Sequence, residues 1–222
     1  MRRTTPPVRA PSQNRSRARA VRARIITTAM RYFAEHGYDN ARVGDVAAEL
    51  KIAKGSIFQH FGNKETLFLE VYMSAARSFS AYLDVPDEVR AAGFFGVLRH
   101  WLLRTEHMVR EDWIPYRIQL LGNYSTDLHV RRQINRFLIT EDPFGRVAFV
   151  RFGLERGELR AELDIPIILS FLDWVVERFQ DALLVEELDP GLFRRHPSVG
   201  QNEARIDQIL AVLRRAIGSA GQ

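Results

Sequence analysis

The window Lys54–Gly55–Ser56–Ile57–Phe58–Gln59–His60 concentrates side chains suited to reading a polyanion. Gly55 and Ser56 are small enough for close approach. Gln59 and His60 carry donors and acceptors for base edges, and Lys54 can meet phosphate. At helical spacing Ile57 and Phe61 fall opposite Gly55, Ser56 and Gln59, so one face can anchor the segment while the other stays free. Arg42 upstream and Lys64 downstream add cations, and Lys64 also stands near a helix start whose backbone amides attract anions. This is the chemistry of hydrogen bonding and charge neutralisation, the combination a helix needs to enter the major groove of DNA.

Bond-making chemistry has little to work with. The chain has no cysteine, which removes thiolate nucleophiles, disulfides and thiolate metal sites. No nucleophile elbow, phosphate-binding glycine loop or dinucleotide fingerprint occurs, so neither an enzyme nor a cofactor is expected. His100, His107 and Glu111 fall near one helix face, but they lack the i, i+4 histidine pair of strong zinc motifs, and no metal is expected.

The elements that must hold the polar window are helical. Ile25, Ile26, Ala29, Met30 and Phe33 recur at three- and four-residue spacing until Gly37, a plausible C-cap. Val43, Val46, Ala47 and Leu50 define a short helix over 43–50, and a tight connection at Lys51–Ala53 leads to a second over 54–60, ending at Gly62. Asn63 is a good N-cap for a fourth helix that continues to Pro86. Beyond it the pattern predicts helices near 87–110, 114–122, 127–156, 164–187 and 203–217, with Pro143 kinking or dividing the third. No strand or hairpin pattern competes, and the predicted class is all-α.

Charge separates the two ends. From Met1 to Lys64, ten Arg and three Lys face four acids, a balance of +9; the remainder carries 19 basic and 23 acidic groups, a balance of −4. One end of the molecule is therefore suited to a polyanion. Residues 1–14, rich in Pro, Ser, Thr and Arg, read as a disordered basic tail. Arg15 to Arg24 reads as a frayed helical extension or a flexible arm, which either enters an adjacent minor groove, follows the DNA backbone or serves only solubility.

At this point the chain resembles the TetR family of bacterial regulators. The matching runs are Ala29…Phe33–Ala34–Glu35–His36–Gly37–Tyr38, Val43–Gly44–Asp45–Val46–Ala47, Lys54 to Phe61, and Asn63–Lys64–Glu65–Thr66–Leu67. The resemblance implies a three-helix, helix-turn-helix DNA-binding domain at about 15–66. It implies a larger helical effector-binding and dimerisation domain at about 67–218, of about nine helices. The implied protein is a cytoplasmic homodimer on an inverted-repeat operator in double-stranded DNA, a repressor released by a small effector. The alternative is an architectural nucleoid or division factor without an effector.

The DNA-contacting candidates are Arg42, Lys54, Gly55, Ser56, Phe58, Gln59, His60 and Lys64. Four positions depart from the family pattern. Phe58 replaces the usual Tyr and lacks its hydroxyl, while Arg42 and Ala53 stand where Thr and Ser usually cap the second and third helices. Lys51 replaces the turn Gly, which makes a left-handed backbone there costlier.

Residues 87–190 are dense in aromatics, and a bundle cavity would draw on them. Trp101, His107, Tyr116, Arg117, Tyr124, Phe144 and Phe152 are the candidate ligand contacts, for an apolar or aromatic effector. For each one, core packing is the competing role. Two apolar stripes near the C-terminus supply the candidate dimer interface: Phe171, Trp174, Val175, Arg178 and Phe179, then Ile206, Ile209, Leu210 and Leu213. The competing role for both stripes is internal core. No apolar run approaches the length of a membrane span, and none resembles a secretion signal.

Overall fold

The spacing of apolar residues that predicted helices is realised as helices throughout a computed structural model describing residues 11–191 and 201–219. They divide into two compact units, one reaching Arg77 and including Ile114–Phe137, the other comprising Ser78–Trp113 and Leu138 onward.

The first unit opens with α1, Pro11–Asn40, whose helical geometry is broken at Gly37 (φ 75°, ψ 171°), a value open to glycine at no steric cost. The tail expected to run to Asn14 therefore ends earlier: Pro11–Asn14 already belong to α1, and residues 1–10 lie outside the described residues. Then come α2 (Val43–Leu50), α3 (Lys54–Phe61) and α4 (Lys64–Tyr82). Asn63 caps α4 by accepting a hydrogen bond from the Thr66 amide at 2.7 Å. Ile25, Ala29, Phe33, Val46, Ala47, Ile57, Leu67 and Phe68 bury their side chains, with Phe33 edge-on to Phe68 at 5.2 Å between ring centres.

Two later helices complete this unit. They are α7 (Ile114–Asn123), packed against α1, and most of α8 (Leu128–Glu141). Gly122 admits the Tyr72 ring so closely that a Cβ there would stand 2.6 Å from it, and the Tyr72 hydroxyl donates to Asn123 at 2.9 Å. The first helices of the chain thus share their core with helices far along it.

The second unit begins with α5 (Asp87–Ala91) and α6 (Gly93–Glu111), where the sequence pattern predicts one helix over 87–110. The break has a tertiary cause. Gly93 is left-handed (φ 82°) and lies against the buried Glu158 carboxylate, which accepts a hydrogen bond from the Phe94 amide at 2.8 Å and also pairs with Arg156. A Cβ at Gly93 would overlap that carboxylate.

The predicted 127–156 segment is divided around Pro143 into α8 and α9 (Arg146–Glu155). The predicted 164–187 helix is instead α10 (Ile165–Leu172), a π-helical turn at Asp173–Glu177, α11 (Arg178–Leu184) and a 3₁₀ turn at Glu186–Leu188. The last helix, α12 (Gln201–Ile217), is tied to α6 by ion pairs from Arg99 to Asp207 and Glu203. Phe94, Val150, Ile168, Ile206 and Leu213 lie at the centre of this unit's core. Phe94 stacks on Phe149 at 4.3 Å.

Candidate nucleic-acid interface

The α2–α3 pair depends on its turn. With Leu50 closing α2, the Ile52 amide donates to the Ala47 carbonyl at 3.0 Å and the Lys51 amide to Ala48 at 3.1 Å. These are the paired hydrogen bonds of a Schellman ending, which needs a left-handed residue just after the last helical one. Lys51 takes that position, at φ 55° and ψ 43°. The missing turn glycine changes the cost of the geometry and leaves the geometry in place. Neither Arg42 before α2 nor Ala53 before α3 makes a side-chain cap.

Ile57 and Phe61 bury the inner face of α3, while Lys54, Gly55 and Gln59 are exposed and Ser56, Phe58 and His60 are half-buried. Arg42 is exposed at the start of α2. The Lys54 ammonium lies 5.7 Å from the centre of the Phe58 ring, so the ring that replaces the usual tyrosine supports a cation. Arg31 of α1 pairs with Glu49 of α2, and that hydrogen bond holds the Glu49 carboxyl below its ordinary range. The pair fixes α2 against α1 at a surface position.

Lys64 is less free than its sequence position implies. Its ammonium donates to the Asp39 carbonyl at 3.0 Å and lies 4.9 Å from the Tyr38 ring centre, and partial burial pulls its pKa down. It can offer remaining protons to an anion, but it also joins the end of α1 to the start of α4.

Sequence reasoning left the basic segment before Ile25 as an extension or an arm. It is helical from Pro11, and Arg22 anchors it through Glu70 (2.7 Å) and across the Phe61 ring (4.8 Å). The Arg- and Ala-rich run from Arg15 to Arg24, which contains neither Gly nor Pro, was the available signal.

The remaining candidates separate between the units. Tyr116 (buried), Arg117 and Tyr124 lie on or just after α7 in the first unit. Trp101, His107, Phe144 and Phe152 belong to the second. There the Trp101 indole donates to the Leu83 carbonyl at 2.9 Å, Phe144 meets Phe79 edge-on, and Arg156 covers Phe152. His107 is exposed and pairs with Glu111, while the His100 ring is 2.9 Å from the Asp84 carbonyl. A pocket lined by Leu102, Glu106, Gln180, Leu183, Leu184 and Ile206 has room for about one water, and none of the aromatic candidates borders it.

The candidate dimer residues need correction. Phe179, Ile206, Leu210 and Leu213 are buried in their own protomer's core, with Phe171, Val175 and Ile209 packed against it. A stripe of spacing three and four records that a helix face is covered, not by which body. Trp174 is 72% exposed and Arg178 is exposed; Ile167 and Val212, which that reading passed over, are 60% and 57% exposed.

Residues 25–71 match the model of the bacterial regulatory proteins of the tetR family. The HTH-type transcriptional repressor AcnR of Corynebacterium glutamicum is 31% identical over 77% of this chain and 86% of its own length. The chain belongs to the TetR family of bacterial regulatory proteins. More distantly, the HTH-type transcriptional repressor DhaR of a Mycobacterium species is 25% identical over 89% of this chain and 92% of its own. The TetR fold is matched by the transcriptional regulator FadR from Bacillus subtilis, solved in complex with stearoyl-CoA. Its TM-score is 0.65 at 18% identity, over 86% of this chain and 96% of that one. Regulators of this kind are not enzymes, and no helix among the described residues is long and apolar enough to cross a membrane.

Proposed function

We propose that this protein is a sequence-specific DNA-binding repressor, acting as a homodimer on an inverted-repeat operator and released by a small, largely apolar effector. The observation that carries the reading is the α2–α3 pair. A Schellman turn sets the two helices, and α3 turns Lys54, Gly55 and Gln59 to solvent while Ile57 and Phe61 hold it from behind. Gln59 and Ser56 are assigned to base edges, Lys54 and His60 to base or backbone, Phe58 to supporting Lys54, and Arg42 and Lys64 to phosphate.

A dimer is supported by exposed apolar side chains late in the chain, Ile167, Trp174 and Val212. Two subunits would present two α3 helices to two half-sites. The effector reading rests on the half-buried Trp101, Phe144 and Phe152 of the second unit. An effector that favours one arrangement of the subunits would shift DNA affinity by its difference in binding to the two states.

Selection of bound sequences from random DNA tests the central claim. A recovered inverted repeat, with Gln59→Ala relaxing preference at one position per half-site, is the expected result. Sequences recovered without symmetry or preference would overturn it. Titrating the selected duplex with hydrophobic small molecules tests the effector, and affinity unmoved by any of them would remove that part alone.

A further inference from the structure

We propose that the N-terminal turns of α1 form a second DNA-contacting surface, on which Arg15 and Arg19 meet backbone phosphates flanking those reached by α3. The inference rests on the DNA-binding reading above and extends it to a segment outside the helix-turn-helix.

Among the residues of α1 from Arg15 onward, whose burial is described, the first fully buried is Ile25, and more than three turns of the helix precede it. Residues 15–20 are all exposed, and no acid occurs between Pro11 and Arg24. Arg15, Arg17, Arg19 and Arg24 have no ion-pair partner among the described residues. A row of unpaired guanidinium groups repels itself, and a polyanion relieves that repulsion.

The root of the segment is placed by Arg22. Its pairing with Glu70 and its position over Phe61, the last residue of α3, set this stretch of α1 beside the end of the proposed recognition helix. Arg19 and Arg15 share that helix face, three and seven residues earlier, about 4.5 and 10 Å further out. Arg17 and Arg24 occupy the opposite face. An α-helix with side chains is about 10–12 Å wide and the minor groove about 6 Å, so a helical arm follows the backbone instead of entering that groove. Arginine suits phosphate there because its fork donates two parallel hydrogen bonds.

The test compares full-length wild type with two double variants of equal charge change, R15A/R19A and R17A/R24A. Alanine preserves helix propensity, and Arg22 is untouched. The probes are a duplex selected from random DNA and the same duplex trimmed to its two half-sites, with affinity read by fluorescence anisotropy from 50 to 200 mM salt.

On the long duplex, R15A/R19A should flatten the salt dependence by about 1.8 logarithmic units of slope per protomer, or 3.6 per dimer. Wild-type affinity should then fall about 100-fold more than the variant's across that range. The R17A/R24A pair should move the slope far less, trimming should abolish the difference, and the selected sequence should be unchanged. Equal losses from both pairs would mean diffuse attraction and overturn the face assignment. No loss from either would mean the arm does not touch DNA. A wild type that binds no duplex would instead remove the DNA-binding reading of α3, and this inference with it.

Discussion

Replacing Lys51 with glycine should make the protein more stable while weakening its hold on DNA. The two Schellman hydrogen bonds from Lys51 and Ile52 require a left-handed residue, and Lys51 supplies it at φ 55°. A residue with a Cβ is disfavoured in that region by about 1–2 kcal/mol. Glycine escapes this but loses about 0.5–1 kcal/mol more backbone freedom on folding. The net gain for Lys51→Gly is about 0.5–1 kcal/mol, or about 2–4 °C per kcal/mol in melting temperature at this chain length.

Lys51→Ala is the control, since it removes the same ammonium but keeps the left-handed cost. The glycine variant should exceed it by about 1 kcal/mol in urea denaturation followed by circular dichroism. Slower hydrogen exchange at residue 51 and Ile52 should accompany that gain. Both variants should lose DNA affinity equally, because each removes one exposed cation from the turn that leads into α3. Equal stability for alanine and glycine would refute the reasoning, and would mean that the turn tolerates a Cβ without strain.

Other expectations follow from the same contacts. Gly93→Ala should cost about 2–4 kcal/mol in denaturation, because it strains a φ of 82° and displaces the Glu158 carboxylate from the Phe94 amide. Lys64→Ala should weaken binding to every duplex and lower the salt slope by about 1 per protomer; a melting-temperature loss should accompany it, since the ammonium also holds the Asp39 carbonyl. Arg146→Ala removes the cation 2.8 Å from Asp173, whose carboxyl burial already pushes up. With the folded pKa above the unfolded one, ionising Asp173 costs stability as pH rises through the folded value. The variant should therefore lose more stability than wild type does as pH rises from the ordinary Asp value of about 4, and parallel pH profiles would count against this. Trp174→Asp should shift a dimer towards monomer in light scattering if the exposed indole lies in the subunit interface.

What the sequence could reveal followed from where each structural cause lies. The boundaries of α2 and α3 and the Asn63 cap are local consequences of spacing, turn and cap chemistry, and each was readable within a few residues. The division around Pro143 was equally local, since proline withdraws a backbone donor wherever it falls. Gly93 was not readable in the same way. A single glycine in an apolar periodic run is ordinarily tolerated inside a helix; what ends the helix is a carboxylate 65 residues away in the chain. The π-helical turn at Asp173–Glu177 likewise left no mark in the pattern. The stripes of α11 and α12 failed for a third reason. Periodicity records that a face is covered and is silent on whether the cover is the protomer or its partner. Burial returns Phe179, Ile206, Leu210 and Leu213 to the protomer core and leaves Trp174, Ile167 and Val212 exposed, the side chains on which the proposed dimer rests. The same logic governs the proposed DNA surface. Lys54, Gly55 and Gln59 are left exposed by the protomer, and Lys64, which the fold already employs, is the contact most in need of a stability control.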